Sequence, residues 1–182
     1  MIGFYRNGRI ELETDVDWPE GTRVIVRPFK PIELCGGAGL GDVIVAGFGL
    51  AGRCVADFVE RAGGQYVIVD SNPASVETQR SLGRRAIEGD ISQLEVLEAA
   101  GVRSADVLAL TIPDDVAVLR AIELAKELNP DVYIIARTTY ASTGIKAVQL
   151  GADEVIKSEQ TVAIQLHDRL HEIISRQVRQ TN

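Results

Sequence analysis

The sequence predicts an α/β protein built on a Rossmann-type, doubly wound parallel sheet, with a small β-rich N-terminal appendage and a long C-terminal helix. Three observations carry that expectation. From residue 42 onward, near-continuous Val/Ile/Leu runs alternate with helical patterns, which marks strands buried on both faces of a parallel sheet. The run Asp42-Val43-Ile44-Val45-Ala46 feeds directly into Gly47-Phe48-Gly49-Leu50-Ala51-Gly52, a GxGxxG turn that opens a helix. A second apolar run, Gln65-Tyr66-Val67-Ile68-Val69-Asp70, ends in an acid eighteen residues beyond Gly52.

The elements follow in order. A strand at 42–46 leads to a helix over 50–62, which Gly63-Gly64 stops. A strand at 66–70 precedes a Ser71-Asn72-Pro73 turn and a helix to about residue 82, ended by Gly83. A short strand, Ala86-Ile87-Glu88, runs into Gly89-Asp90 and a helix over 92–100, ended by Gly101. Val107-Leu108-Ala109-Leu110-Thr111 reads as a buried strand. Asp114 or Asp115 caps a long helix that Asn129-Pro130 stops. A fifth strand spans 132–137, a helix spans 143–150 up to Gly151, and Glu154-Val155-Ile156 is a sixth short strand. Right-handed crossovers make this alternation a doubly wound domain over 42–158.

Residues 1–34 stand outside that plan. Asn7-Gly8 and Glu20-Gly21 beside alternating apolar residues suggest two or three short antiparallel strands, too few to be stable alone. A Gly-rich linker, 35–41, joins them to the main domain. At the other end, Val162, Leu166, Leu170, Ile173, Ile174 and Val178 form one stripe of a helix over 159–182. Twenty helical residues reach about 30 Å, the width of a small domain. Either the helix covers its own sheet, or its outer half docks on another subunit, and the second is the expectation.

Each glycine of the turn has a physical job. Gly47 allows the tight turn, Gly49 admits a pyrophosphate to the backbone, and Gly52 lets the helix pack closely on the strand. Free N–H groups at the helix start near Leu50 then face the phosphates. Asp70 sits where a carboxylate accepts from both hydroxyls of an adenosine ribose. Together these point to nucleotide or dinucleotide binding.

Composition narrows the function. With 182 residues and 46% apolar content the chain has enough length for a real core, and its net charge of −7 argues against a nucleic-acid surface. No apolar run approaches the roughly 20 residues a membrane span needs, and the start Met1-Ile2-Gly3-Phe4-Tyr5-Arg6 lacks a signal-peptide core, so a cytoplasmic location is expected. Cys35 and Cys54 make no metal-ligand spacing, and His167 and His171 lack a third ligand. Catalytic groups are missing too. Tyr140 is followed by Gly144, and Tyr133 by Arg137, at the spacing where a short-chain dehydrogenase needs lysine. The expectation is a nucleotide site without a reaction; an NAD-dependent oxidoreductase using Tyr140 or Arg137, or a scaffold serving a non-transport partner, are the alternatives.

From residue 42 to about 166 the chain resembles the regulator-of-potassium-conductance N-terminal domain, also called the TrkA-N or KTN domain. The segments that carry the resemblance are the glycine turn with Arg53, Val69-Asp70, Glu88-Gly89-Asp90-Ile91-Ser92 and Val96-Leu97-Glu98-Ala99-Ala100-Gly101-Val102. Thr111-Ile112-Pro113-Asp114-Asp115, Leu128-Asn129-Pro130, Ile134-Ile135-Ala136-Arg137 and Gly151-Ala152-Asp153-Glu154-Val155-Ile156 continue it. The resemblance implies a cytosolic ligand-sensing gate for potassium channels and transporters, assembled as a dimer or larger ring. It implies NAD(H) or an adenine nucleotide (ATP, ADP or AMP) as ligand.

Carried over by position, Gly47, Phe48, Gly49, Leu50 and Ala51 line the pyrophosphate, and Asp70 and Ser71 hold the adenosine ribose. Asp90 and Ile91 flank the adenine, while Thr111 and Ile112 edge the phosphates or second ribose. Arg137 either lies at the cleft or pairs with Asp114 or Asp115. Leu50 replaces an arginine found in some members, which leans the expectation toward NAD(H) over a triphosphate. Asp70 disfavours the 2′-phosphate of NADP. The family's C-terminal ligand-binding domain and any pore segment are missing. The expected partner is therefore a membrane-embedded cation channel or transporter acting in trans, with the chain peripheral to the membrane, unless the chain is a fragment or has lost that role.

Overall fold

The computed structural model describes residues 3–6, 9–12 and 41–180, with side chains from Gly41 to His171 and at Ile173 and Ile174. The chain divides into two compact units, Met1–Pro31 and Ile32–Asn182. In the first, strands β1 (Gly3–Arg6) and β2 (Arg9–Leu12) pair antiparallel with Gly3 opposite Leu12 and Arg6 opposite Arg9. A strand around residues 22–26 and most of the 35–41 linker lie outside the described residues.

The second unit holds a six-stranded sheet whose strands all run parallel. In chain order its elements are β3 (Val43–Ala46), α1 (Leu50–Arg61), β4 (Tyr66–Asp70), α2 (Pro73–Ser81), β5 (Ala86–Glu88) and α3 (Leu94–Ala100). A single 3-10 turn (Val102–Ser104) leads to β6 (Val107–Leu110), α4 (Asp115–Leu128), β7 (Tyr133–Thr138), α5 (Ala141–Gln149), β8 (Glu154–Lys157) and α6 (Ser158–Gln180). The spatial order is β5-β4-β3-β6-β7-β8. The chain therefore builds outward from β3 in one direction, returns, and builds outward from β6 in the other. Such a reversal opens a crevice at the carboxyl ends of the two central strands, where open α/β sheets bind ligands.

The core explains why the apolar runs read as they do. All of β3 is buried, and Ile44, Leu108 and Ile134 on neighbouring strands are at most 1% exposed. Val118, Ala121, Ile122 and Ala125 of α4 press on the sheet from one face, and Phe48, Ala56 and Val76 pack around Ile68 on the other. Element boundaries shift from expectation where a polar group captures the backbone. Asp90 Oδ1 accepts from the Ser92 N–H at 2.9 Å and its carbonyl accepts from Gln93, so α3 begins at Leu94 rather than at residue 92. Asp114 Oδ1 accepts from Val116 and Ala117, which makes it the cap of α4.

Over its described side chains beyond Ser158, helix α6 does not cover its own sheet. Residues 159–171 are all exposed, and the apolar stripe at Val162, Leu166, Leu170, Ile173 and Ile174 is 54–61% exposed. His167 and His171 stack at 6.5 Å on this helix, and no group of three metal-ligating side chains occurs among the described residues.

Candidate functional site

The crevice at the ends of β3 and β6 is a cleft of about 690 Å³, within the size range of cofactor sites. Its floor is the glycine turn. Gly47 has φ +89°, and a Cβ there would sit 2.8 Å from Ile112 Cγ2. At Gly52 a Cβ would fall 1.9 Å from the Gly47 carbonyl oxygen, so α1 can approach β3 only with hydrogen at that position. Thr111 Oγ1 lies 2.9 Å from the Ala46 carbonyl and 2.8 Å from that of Gly47, sharing its proton between them. The turn is pinned from the β6 side.

It is pinned from the β4 side by Asp70. Asp70 Oδ2 accepts from the Phe48 N–H at 2.6 Å, and Oδ1 accepts from the Asn72 N–H at 2.8 Å. A carboxylate has about four lone-pair sites, so one further acceptor position remains on each oxygen. Phe48 lies on the cleft, where its place in the motif puts it. Its N–H is committed to Asp70 and its ring is buried between α1, α2 and β4, so Phe48 shapes the turn and offers no free donor. Arg53 steadies the next peptide, its Nε donating to the Phe48 carbonyl at 3.2 Å.

Gly49 is the informative glycine. Its φ of −72° and ψ of −162° are open to any residue, and a Cβ built on it meets nothing within 4 Å. Nothing in the chain itself requires glycine there; a ligand pressed against the backbone would. Gly49 is also the N-cap of α1, with no side-chain cap bond and no acid in the first turn. The start of α4, on the opposite wall, is filled by Asp114. Of the two helix starts at the cleft, only that of α1 is left for an anion. The residues present thus fit a phosphate-bearing nucleotide: α1 for the phosphates, and the Asp70 carboxylate beside Ser71 for ribose hydroxyls.

All the candidate residues except Gly52 line this cleft. Gly52 lies behind the turn as a packing position. Leu50 is 83% exposed at the rim, and Asp90 is exposed beside it. Ile91 is 3% exposed, its side chain absorbed by the core, so only its edge reaches the cleft. Arg137 makes no ion pair with Asp114 or Asp115 among the described residues; its Nε donates to Ser158 Oγ at 3.1 Å. Asp115 instead accepts from the Thr139 N–H at 2.9 Å. Burial alone would raise the Asp115 carboxyl. The Thr139 N–H, the Thr143 and Thr139 hydroxyls and the Tyr140 N–H outweigh burial and hold it below its ordinary value.

The TrkA-N domain family matches residues 43–158. The chain belongs to the TrkA-N family. Among curated relatives, the glutathione-regulated potassium-efflux system protein KefC of Enterobacter sp. (strain 638) is 37% identical over 111 residues, covering 61% of this chain. The chain spans 18% of that protein's length. Among solved structures, the Kef C-terminal domain of Shewanella denitrificans in its AMP-bound form is 25% identical, with TM-score 0.65 over 73% of this chain and 80% of that one. The GsuK channel bound to NAD shares the fold at 20% identity, TM-score 0.57, over 71% of this chain and 23% of the channel.

This TrkA-N domain also brings residues to the cleft that sequence reasoning missed: Val69, Gly89, Pro113, Ala117, and Asp114 as a lining residue. Gly89 carried a signal. It precedes Asp90 in the Gly-Asp pair, and a Cβ there would meet Val96 Cγ2 at 2.6 Å. A second hollow of about 550 Å³ lies between α1 and α2, but its charged side chains are engaged within the fold, Arg84 with Glu60, Asp57 with Arg61 and Arg53 Nε with the Phe48 carbonyl.

Proposed function

We propose that this TrkA-N domain senses NAD(H), or failing that AMP, ADP or ATP, in the β3/β6 cleft, and that occupancy regulates a potassium channel or transporter. The observation that carries the nucleotide reading is Gly49, a glycine whose Cβ would meet no atom of the chain, at an uncapped helix start. An AMP-bound Kef domain and an NAD-bound channel among the structural neighbours support the ligand class, and kinship to KefC supports the transport role. The Asp70 carboxylate favours NAD(H) over NADP(H), because a 2′-phosphate beside it would meet a like charge. In this reading the domain is regulatory and not catalytic, works at the cytoplasmic face of a membrane, and assembles as a homodimer or larger ring through the exposed stripe of α6. Ligand binding then biases two arrangements of that assembly by its differential affinity for them.

Calorimetric titration with NAD⁺, NADH, NADP⁺, ATP, ADP and AMP tests the ligand. NAD(H) is expected to bind more tightly than NADP(H), and Asp70→Ala to weaken it by about tenfold or more, since two ribose acceptor sites go with the carboxylate. Absence of binding by all six compounds overturns the sensor reading.

A further inference from the structure

We propose that Ser158 is a positioning residue that couples the cleft to α6 through the guanidinium of Arg137. The proposal rests on the cleft being the nucleotide site and adds the route by which its occupancy leaves the domain.

Ser158 is the first residue of α6. Its hydroxyl bonds in both directions: Oγ accepts from Arg137 Nε at 3.1 Å and donates to the carbonyl of Thr138, itself fully buried, at 2.8 Å. Arg137 lines the cleft. Only its Nε is engaged by Ser158, and a guanidinium has five N–H donors, so four remain for an anionic ligand. One planar group therefore faces a ligand on one edge and the start of α6 on the other.

Two further observations make this junction mechanical. Residues 159–171 of α6 are exposed, so little packing fixes the direction of the helix. Three of the bonds that tie its start to the body meet at the end of β7: Ser158 to Arg137 and Thr138, and the Glu159 N–H to the Thr139 carbonyl at 3.4 Å; a fourth runs from Thr161 Oγ1 to the Lys157 carbonyl at the end of β8. That same stretch is held from the opposite side by Asp115 at the head of α4, which accepts from the Thr139 N–H. The body side is held from both directions, while the exposed helix is tied to its own chain at its first turn. A ligand anion that draws the guanidinium inward reorients or breaks the Nε–Oγ bond, and α6 responds. Coupling of this kind is reciprocal, so the arrangement of α6 sets ligand affinity by the same factor.

The test combines calorimetry with hydrogen-exchange mass spectrometry of peptides over 157–165, with and without saturating NAD⁺ and, separately, AMP. In the wild-type chain, saturating ligand is expected to change exchange there by about fivefold or more. Ser158→Ala should still bind, about two- to fivefold more tightly because the ligand no longer displaces the Nε–Oγ bond, and lose the exchange response. Ser158→Thr, which keeps the hydroxyl, should retain it. Arg137→Lys keeps a positive charge but not the planar fork, and should bind more weakly as well as lose the response. A Ser158→Ala chain that responds like wild type overturns the proposal. So does a wild-type chain that binds ligand with no exchange change at α6, and in that case the sensor site itself stands. A wild-type chain that binds neither ligand removes the sensor site, and the coupling with it.

Discussion

Two glycines that look alike in the sequence, Gly49 and Gly52, do separable jobs. Gly52→Ala would place Cβ 1.9 Å from the Gly47 carbonyl oxygen, which forces α1 off β3. The expected cost is about 2–4 kcal/mol of stability, read as the shift in denaturation midpoint. Gly49→Ala meets no atom of the protein, so its cost is limited to a poorer helix cap, about 1 kcal/mol or less. It should nonetheless weaken nucleotide binding by about tenfold or more, because the methyl occupies the approach of the phosphates. Equal effects of the two variants on stability would contradict this division. The GxGxxG spacing announced the turn, and the acid at Asp70 was legible from its place at a strand end. The bond from Phe48 to that acid was not, because a backbone N–H meeting a side chain 22 residues away leaves no periodic mark. Ile91 shows the same limit: its position in the motif was readable, while its burial depends on α3 folding over it.

At the scale of single elements, the head of α4 carries a pH dependence. Asp115 is held below its ordinary value, so the folded state binds fewer protons there than the unfolded chain. Its stabilisation is complete above the unfolded value of about 3.9 and fades as the pH falls through the lower folded value. Asp115→Asn should lower stability at neutral pH and flatten the acid limb of the stability curve below about pH 4, measured by denaturant unfolding at several pH values. The stripe of α6 makes a different prediction. Leu170→Glu puts a charge into the proposed subunit contact and should give a monomer by light scattering, with the fold retained by circular dichroism; an unchanged oligomer mass would remove α6 from the contact. Periodicity alone identified this helix and its apolar face. It could not say whether that face meets the chain's own sheet, which depends on where the chain turns after β8.

At the scale of the molecule, the reversal of strand order sets two halves of the sheet against each other across one cleft. The glycine turn, Asp70 and Asp90 come from the half that contains β3, β4 and β5, and Thr111 and Arg137 come from the other. A ligand seated there bonds to both halves and should raise the melting temperature: at a hundred times its Kd it contributes about 2.7 kcal/mol. For a domain of this size that is a shift of about 5–10 °C, checked by calorimetry with and without NAD⁺. The alternation of strand and helix made this architecture legible, since parallel strands buried on both faces need helical crossovers. The hairpin β1–β2 was readable from its Asn7-Gly8 signal, while its role lies beyond any local rule. The double pinning of the glycine turn, by Asp70 from one side and Thr111 from the other, has a kinetic consequence. A loop already ordered has no folding step to complete on encounter, so a ligand meeting the turn spends no time ordering it, and differences in residence fall mainly on release.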